Sequence, residues 1–136
     1  MRQGRGILIN PNGDRYEGYF VNDRFEGKGH MVYSKLPEQK KQDYKGTWNA
    51  GLRHGQGEMV WKSGAKYNGN WIDGIRTGIG EYTWYDGGRY VGQFLENKRH
   101  GNGTHTWKGG VTYKGQWKNH FPDGIGTKKW PNGVTY

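Results

Sequence analysis

The chain has no cysteine, so neither disulfides nor thiolate metal sites can hold it together. Serine occurs only at Ser34 and Ser63, and no Gly-x-Ser-x-Gly surrounds either. Proline is scarce, with four residues. No apolar run approaches the ~20 residues of a membrane-spanning helix, and Met1-Arg2-Gln3-Gly4-Arg5 is not an apolar leader. The expected compartment is therefore the cytoplasm. Aliphatic content is low as well. Only 31% of the 136 residues are apolar, too few for a thick core, and hydropathy alone would place the chain near disorder. The aromatic content argues otherwise. Seven Trp, ten Tyr and four Phe supply large contact areas, and ring pairs add roughly 0.5–1.5 kcal/mol beyond burial. A thin, aromatic-laced β structure satisfies both facts.

The rings are periodic. Tyr44, Tyr67, Tyr90, Tyr113 and Tyr136 are 23 residues apart, and Tyr16 opens the series. With each repeat tyrosine as position 1, position 3 is Gly18, Gly46, Gly69, Gly92 and Gly115. Position 5 is aromatic throughout: Phe20, Trp48, Trp71, Phe94 and Trp117. Positions 12 and 14 are glycine pairs, Gly27/Gly29, Gly55/Gly57, Gly78/Gly80, Gly101/Gly103 and Gly124/Gly126. Position 18 is Tyr33, Trp61, Trp84, Trp107 and Trp130, and position 21 is glycine at Gly64, Gly87, Gly110 and Gly133. Residues 1–15 fit as the tail of a preceding unit, and Tyr136 begins another. A fixed period of this length marks an array of one supersecondary unit. The chain reads as one continuous array over 1–136, with repeats starting at Tyr16, Tyr44, Tyr67, Tyr90 and Tyr113. With both ends inside units, it is expected to be part of a longer array.

Each unit reads as two strands and two turns. Positions 1, 3 and 5 alternate aromatic–Gly–aromatic, as one face of a strand does, and positions 12, 14, 16 and 18 make a second such face. Position 8 holds Asp23, Gly51, Gly74, Asn97 or His120, types that tolerate positive φ in a tight turn. A two-residue turn at positions 7–8 then pairs position 1 with 14 and 3 with 12, leaving bare glycine beside each tyrosine ring. A second turn falls at positions 20–21, as in Asn12-Gly13, Asp86-Gly87 and Asn132-Gly133. All rings can share one face only if this second connection is bulged or odd in length, so an odd connection is expected. The even positions are mostly polar and suit a solvated reverse face. Residues 34–43 add five residues at one repeat junction, a polar insertion or a partner-contacting loop. In the fifth repeat, Asn119-His120-Phe121-Pro122-Asp123 is expected to give the first turn a different shape.

The pattern Tyr-x-Gly-x-Trp/Phe followed by Gly-x-Gly, an aromatic and a glycine resembles the MORN repeat. Tyr44-Lys45-Gly46-Thr47-Trp48 with His54-Gly55-Gln56-Gly57 carries it, as does Tyr90-Val91-Gly92-Gln93-Phe94 with His100-Gly101-Asn102-Gly103. The resemblance covers practically the whole chain. It implies an all-β, elongated, single-layer antiparallel meander of stacked hairpins. It also implies scaffold or targeting work, at cytoskeletal structures such as the cilium and its axoneme or at membranes.

Catalytic chemistry finds no foothold in the sequence. The Gly-x-Gly pairs never extend to Gly-x-Gly-x-x-Gly. His54 and His100 occupy equivalent places four strands apart, hence ~19 Å, too far to share a metal ion. No cofactor, metal or enzymatic activity is expected. Two binding readings stand instead. In the first, a partner protein lays a helix or extended segment on an aromatic groove formed by the position-5 rings (Phe20, Trp48, Trp71, Phe94, Trp117) and the position-18 rings (Tyr33, Trp61, Trp84, Trp107, Trp130). In the second, the net charge of +9 favours an anionic, phosphoinositide-containing membrane through Lys114, Lys118, Lys128 and Lys129. Rings recurring with glycine at packing positions do not make a nucleic-acid stacking platform. Edge-to-edge self-association of the array also follows from unpaired outer strands.

Overall fold

A computed structural model describes residues 3–33, 42–61, 63–132 and 135. The inserted residues 34–41 and Tyr136 lie outside the described residues. Eleven strands follow one another, β1 (Gly4–Ile9), β2 (Arg15–Val21), β3 (Arg24–Tyr33), β4 (Gln42–Asn49), β5 (Leu52–Trp61), β6 (Lys66–Ile72), β7 (Ile75–Thr83), β8 (Arg89–Leu95), β9 (Lys98–Thr106), β10 (Thr112–Lys118) and β11 (Phe121–Lys129). They pair in sequence order into one antiparallel sheet. The sheet is the all-β meander of hairpins expected from the repeat.

The two turns differ, and each has its own chemistry. The first is a two-residue turn at positions 7 and 8 with positive φ at both. Asn22/Asp23, Ala50/Gly51, Asp73/Gly74, Glu96/Asn97 and Asn119/His120 all adopt it, the twist that suits right-handed strands. The fifth repeat was expected to depart here, yet its turn has the same shape. Pro122 sits outside the turn, opposite Trp117 in the β10–β11 register. The second turn is odd in length, as a single ring face demands. Gly64 N donates to Trp61 O and Trp61 N to Ala65 O, which encloses three residues, with Gly64 at φ +96. The same bonds close 84–88 and 107–111.

The register within a hairpin departs from the expected pairing of position 1 with 14. Tyr44 pairs with Met59, Gly46 with Gly57 and Trp48 with Arg53. Position 1 thus meets 16, and 3 meets 14. A bulge on the returning strand absorbs the two-residue difference, and the glycine at position 12 serves it with positive φ (Gly55 +83, Gly78 +105, Gly101 +77). The bulge leaves backbone groups that position 4 satisfies. Asn102 N donates to Gln93 Oε1 at 2.7 Å, Ile125 N donates to Gln116 Oε1 at 3.1 Å, and Thr47 Oγ1 donates to the His54 carbonyl. The polar residue at that position is therefore part of the fold.

The position-14 glycine is bare for another reason. Each tyrosine leans along its own strand, across the glycine pair, and its hydroxyl donates to the position-4 carbonyl. Tyr44 Oη reaches Thr47 O at 3.0 Å, Tyr67 reaches Asn70 O at 2.9 Å and Tyr90 reaches Gln93 O at 2.7 Å. A Cβ on Gly57, Gly80 or Gly103 would overlap the ring above it. Tyr16, Tyr44, Tyr67 and Tyr90 are fully buried by this arrangement, at 0% exposure.

Candidate functional site

Pairing position 12 with position 5 of the next repeat, as in Gly55 with Trp71, slides each position-5 ring between two tyrosines. Trp48 packs edge-on to Tyr16 and Tyr44, Trp71 to Tyr44 and Tyr67, Phe94 to Tyr67 and Tyr90, and Trp117 to Tyr90 and Tyr113. Centroid separations run from 5.0 Å for Tyr44–Trp48 to 5.5 Å for Tyr16–Trp48, the separation that edge-to-face rings prefer. Indole N–H groups of Trp48, Trp71 and Trp117 donate to the carbonyls of Gly29, Gly57 and Gly103. This zipper runs across the repeats and is the core of the protein. It also corrects the expectation that Phe20, Trp48, Trp71 and Trp117 are groove walls, whereas Phe94 does line a cavity of that face. All five are buried and form the floor beneath the ring face.

The accessible surface of that face is built by positions 10 and 18, with Tyr82 and Lys128 at position 16, where Met31, Met59 and His105 are buried. Tyr33, Trp61, Trp84 and Trp130 are half-buried, and Trp107 is exposed. Trp61 packs on Tyr82, Tyr82 on Trp84, Trp84 on His105 and His105 on Trp107. Across these rings lie three arginines that the sequence reading passed over: Arg53, Arg76 and Arg99, all at position 10. Arg53 Cζ is 4.7 Å from the Trp71 ring centre, and Arg99 Cζ is 4.7 Å from Trp117. Arg76 approaches Trp61, Tyr67, Tyr82 and Phe94 within 5.6 to 6.0 Å. Cation–π attraction of this kind is worth up to ~2 kcal/mol when desolvated. In the first repeat Phe25 takes the same place and stacks on Tyr16 at 3.9 Å. The signal was present in the sequence, since three of five repeats carry arginine at position 10, but an isolated arginine reads as a solvated charge.

Burial pulls the Arg76 and Arg99 guanidinium pKa values down. Both line a cavity of about 390 Å³ with Tyr82, Trp84, Phe94, His120 and Phe121. A second cavity of about 320 Å³ shares Trp84 and Arg99 with the first and is bordered also by Asp86, His105, Trp107 and Lys108. His105 is 5% exposed, and its Nδ1 accepts from Arg99 Nη1 at 2.8 Å. Burial first, then the Arg99 charge, hold its pKa down at about 4 against the opposing pull of Asp86. Its ordinary value is 6.5, so the unfolded chain binds the extra proton between those values and folding stability falls as pH drops from 6.5 toward 4. The loss is at most roughly 3.4 kcal/mol for that shift. Acid titration of the melting temperature should show it. The variant His105→Tyr, which carries the residue of Tyr82, should flatten the curve over that window.

The four candidate lipid-contacting lysines do not share a face. Lys128 pairs with Tyr113, putting it on the ring side, and its Nζ lies 5.5 and 5.2 Å from Trp107 and Trp130. Lys114 and Lys129 fall on the opposite, polar side, by the alternation of β10 and β11. Lys118, also exposed, pairs with Phe121 beside the last turn. His54 Nδ1 accepts from Asp73 N at 3.3 Å, a turn contact. Among the described residues no three His, Asp or Glu side chains gather as metal ligands.

A repeat of tyrosine, glycine and aromatic residues in this hairpin geometry matches a known family model, the MORN repeat. The match falls on residues 1–15, 16–35, 44–66, 67–89, 90–112 and 113–135. The chain belongs to the MORN-repeat family. MORN repeats are interaction modules for protein or membrane partners and are not enzymes as a family. Comparison with curated proteins gives no match.

Proposed function

We propose that this MORN array is a non-catalytic scaffold that docks a partner protein on its ring face. The observation carrying this reading is the cavity of about 390 Å³ at the surface of that face. There half-buried arginines and partly exposed rings adjoin Phe121, which is 71% exposed. Apolar anchors with a few fixed polar groups are what a protein partner's side chains require. The opposite face presents Lys45, Thr47, Asn68 and Gln93 in strand alternation. Its cavity of about 590 Å³ is lined by polar residues and glycine, with no Tyr, Trp or Phe among the described lining residues. A cytoskeletal setting, including the cilium and axoneme, is the context we propose from the family resemblance.

Comparative pull-down tests the reading. Trp84→Ala should lose its specific partners by ten-fold or more while the fold persists, and Lys45→Glu on the polar face should retain them. The reverse pattern would refute docking on the ring face. Trp48, Trp71 and Trp117 are unsuitable for this test, because their truncation removes core. A second reading, attachment to an anionic phosphoinositide membrane, is favoured by Lys114 and Lys129 sharing the polar side of the last hairpin. It requires vesicle flotation at low salt that depends on the phosphoinositide, and absence of flotation would end it.

A further inference from the structure

Resting on that docking face, we propose that Arg53, Arg76 and Arg99 form a ladder that reads carboxylates on an acidic amphipathic helix lying across the strands, one acidic side chain every seven residues.

The first support is charge without a partner. Arg53 Nη2 donates to Gly74 O, Arg76 donates to the Asn97 side-chain and backbone oxygens, and Arg99 donates to neutral His105. Among the described residues, none of the three is in salt-bridge contact with a carboxylate. Asp86 borders the second cavity but is exposed. Each guanidinium carries five donors in a planar fork, and the bonds named use only some of them. A half-buried guanidinium lying over indole and phenol rings is already ordered, so little entropy remains to be lost when a carboxylate arrives. A paired charge-assisted contact is correspondingly strong.

The second support is spacing. Equivalent arginines are two strands apart, about 9.6 Å along the sheet. A helix laid in that direction advances about 10.5 Å in seven residues and returns to nearly the same face. An extended segment covers ~10 Å in three residues, but its side chains alternate sides, so successive acidic groups would point away from successive arginines. Against a β-extended segment the spacing therefore favours a helix. A polyproline-II segment also returns to one face every ~9.3 Å, but it leaves no residue on that face between successive acidic groups to fill the cavity between Arg76 and Arg99. Between Arg76 and Arg99 the cavity walled by Tyr82, Trp84 and Phe94 suits a leucine- or phenylalanine-sized side chain three or four residues from an acidic one. The lysine cluster of the last hairpin does not reproduce this array, being split between faces.

The test uses three helix-stabilised peptides of equal length and composition class, measured by fluorescence anisotropy against the intact 136-residue protein. One carries glutamate at three heptad-spaced positions with leucine between them. The second has the same residues with the glutamates moved off the heptad. The third replaces the heptad glutamates with glutamine. The first should bind at least ten-fold tighter than either of the others, and added salt should narrow the gap. Arg76→Gln and Arg99→Gln should each erase most of the preference for the glutamate peptide. Because those arginines also pack on rings, the glutamine peptide is the control that leaves the protein untouched. Equal binding of the glutamate and glutamine peptides, lost with Trp84→Ala, would overturn the ladder while leaving the docking face intact. No binding by the glutamate peptide would also overturn it, and the pull-down comparison above would then judge the docking face separately.

Discussion

Gly80→Ala should unfold this protein far more readily than Gly87→Ala, although both replace a glycine with one methyl group. At Gly80 the methyl would fall on the Tyr67 ring, whose hydroxyl is bonded to Asn70 O and which is flanked by Trp71 and Phe94. The ring has no room to withdraw, at 0% exposure. Overpacking a fixed core position costs about 3 kcal/mol or more. At Gly87 nothing lies within 4 Å of the added Cβ, and the cost is only that of holding alanine at φ +93. That strain is ~1 kcal/mol. Melting temperatures should fall by roughly 10 °C and 3 °C respectively. Equal losses would mean that the tyrosine does not occupy the space above the position-14 glycine.

Alkali should produce the second large effect. Burial pushes the phenols of Tyr44, Tyr67 and Tyr90 up to about 12 from an ordinary value of 10.0, opposed in part by Arg53, Arg76 and Arg99. Tyr16 is raised for the same main reason. A raised folded pKa means that the unfolded chain gives up its protons first. Stability is therefore complete below pH 10 and falls as pH climbs toward 12. Each such tyrosine contributes up to roughly 2.7 kcal/mol of that loss, and three of them rival the total stability of an ordinary domain. The tyrosinate absorbance band should rise in two stages. Exposed phenols ionise first, and the buried set then ionises together with collapse of the far-ultraviolet β signal. A single smooth titration near pH 10 with the fold retained would contradict the buried ladder.

Much of this architecture was legible in residue spacing. The tight turn at positions 7–8, the odd second connection and the single ring face follow from Gly51, Gly64 and the alternation around Tyr44. The register did not follow, because Gly55 and Gly57 look alike in sequence yet do different work. Gly57 is bare so that the Tyr44 ring can lie over it, whereas Gly55 supplies a positive φ for the bulge. Only the positions of their partner strands separate the two roles. Burial of Trp48 and Trp71 was hidden for the same reason. A lone sheet leaves rings half-covered unless the inter-repeat register slides each one between two tyrosines. Arg53, Arg76 and Arg99 were overlooked because a guanidinium stacked on aromatic rings has no local sequence mark. Their recurrence at position 10 was the available signal.

Whether partners approach the rings and arginines is tested most directly by the indole N–H resonances. In a nitrogen–proton correlation spectrum, Trp48, Trp71 and Trp117 are tied to the carbonyls of Gly29, Gly57 and Gly103. Trp61, Trp84 and Trp107 stand at the surface of the same face, half-buried or exposed. On titration with the heptad glutamate peptide, or with any partner recovered through the ring face, the Trp61, Trp84 and Trp107 signals should move. Backbone signals of Lys45 and Asn68 on the polar side should stay in place. Shifts confined to Lys45, Asn68 and their polar-face neighbours, with every indole unmoved, would contradict the account.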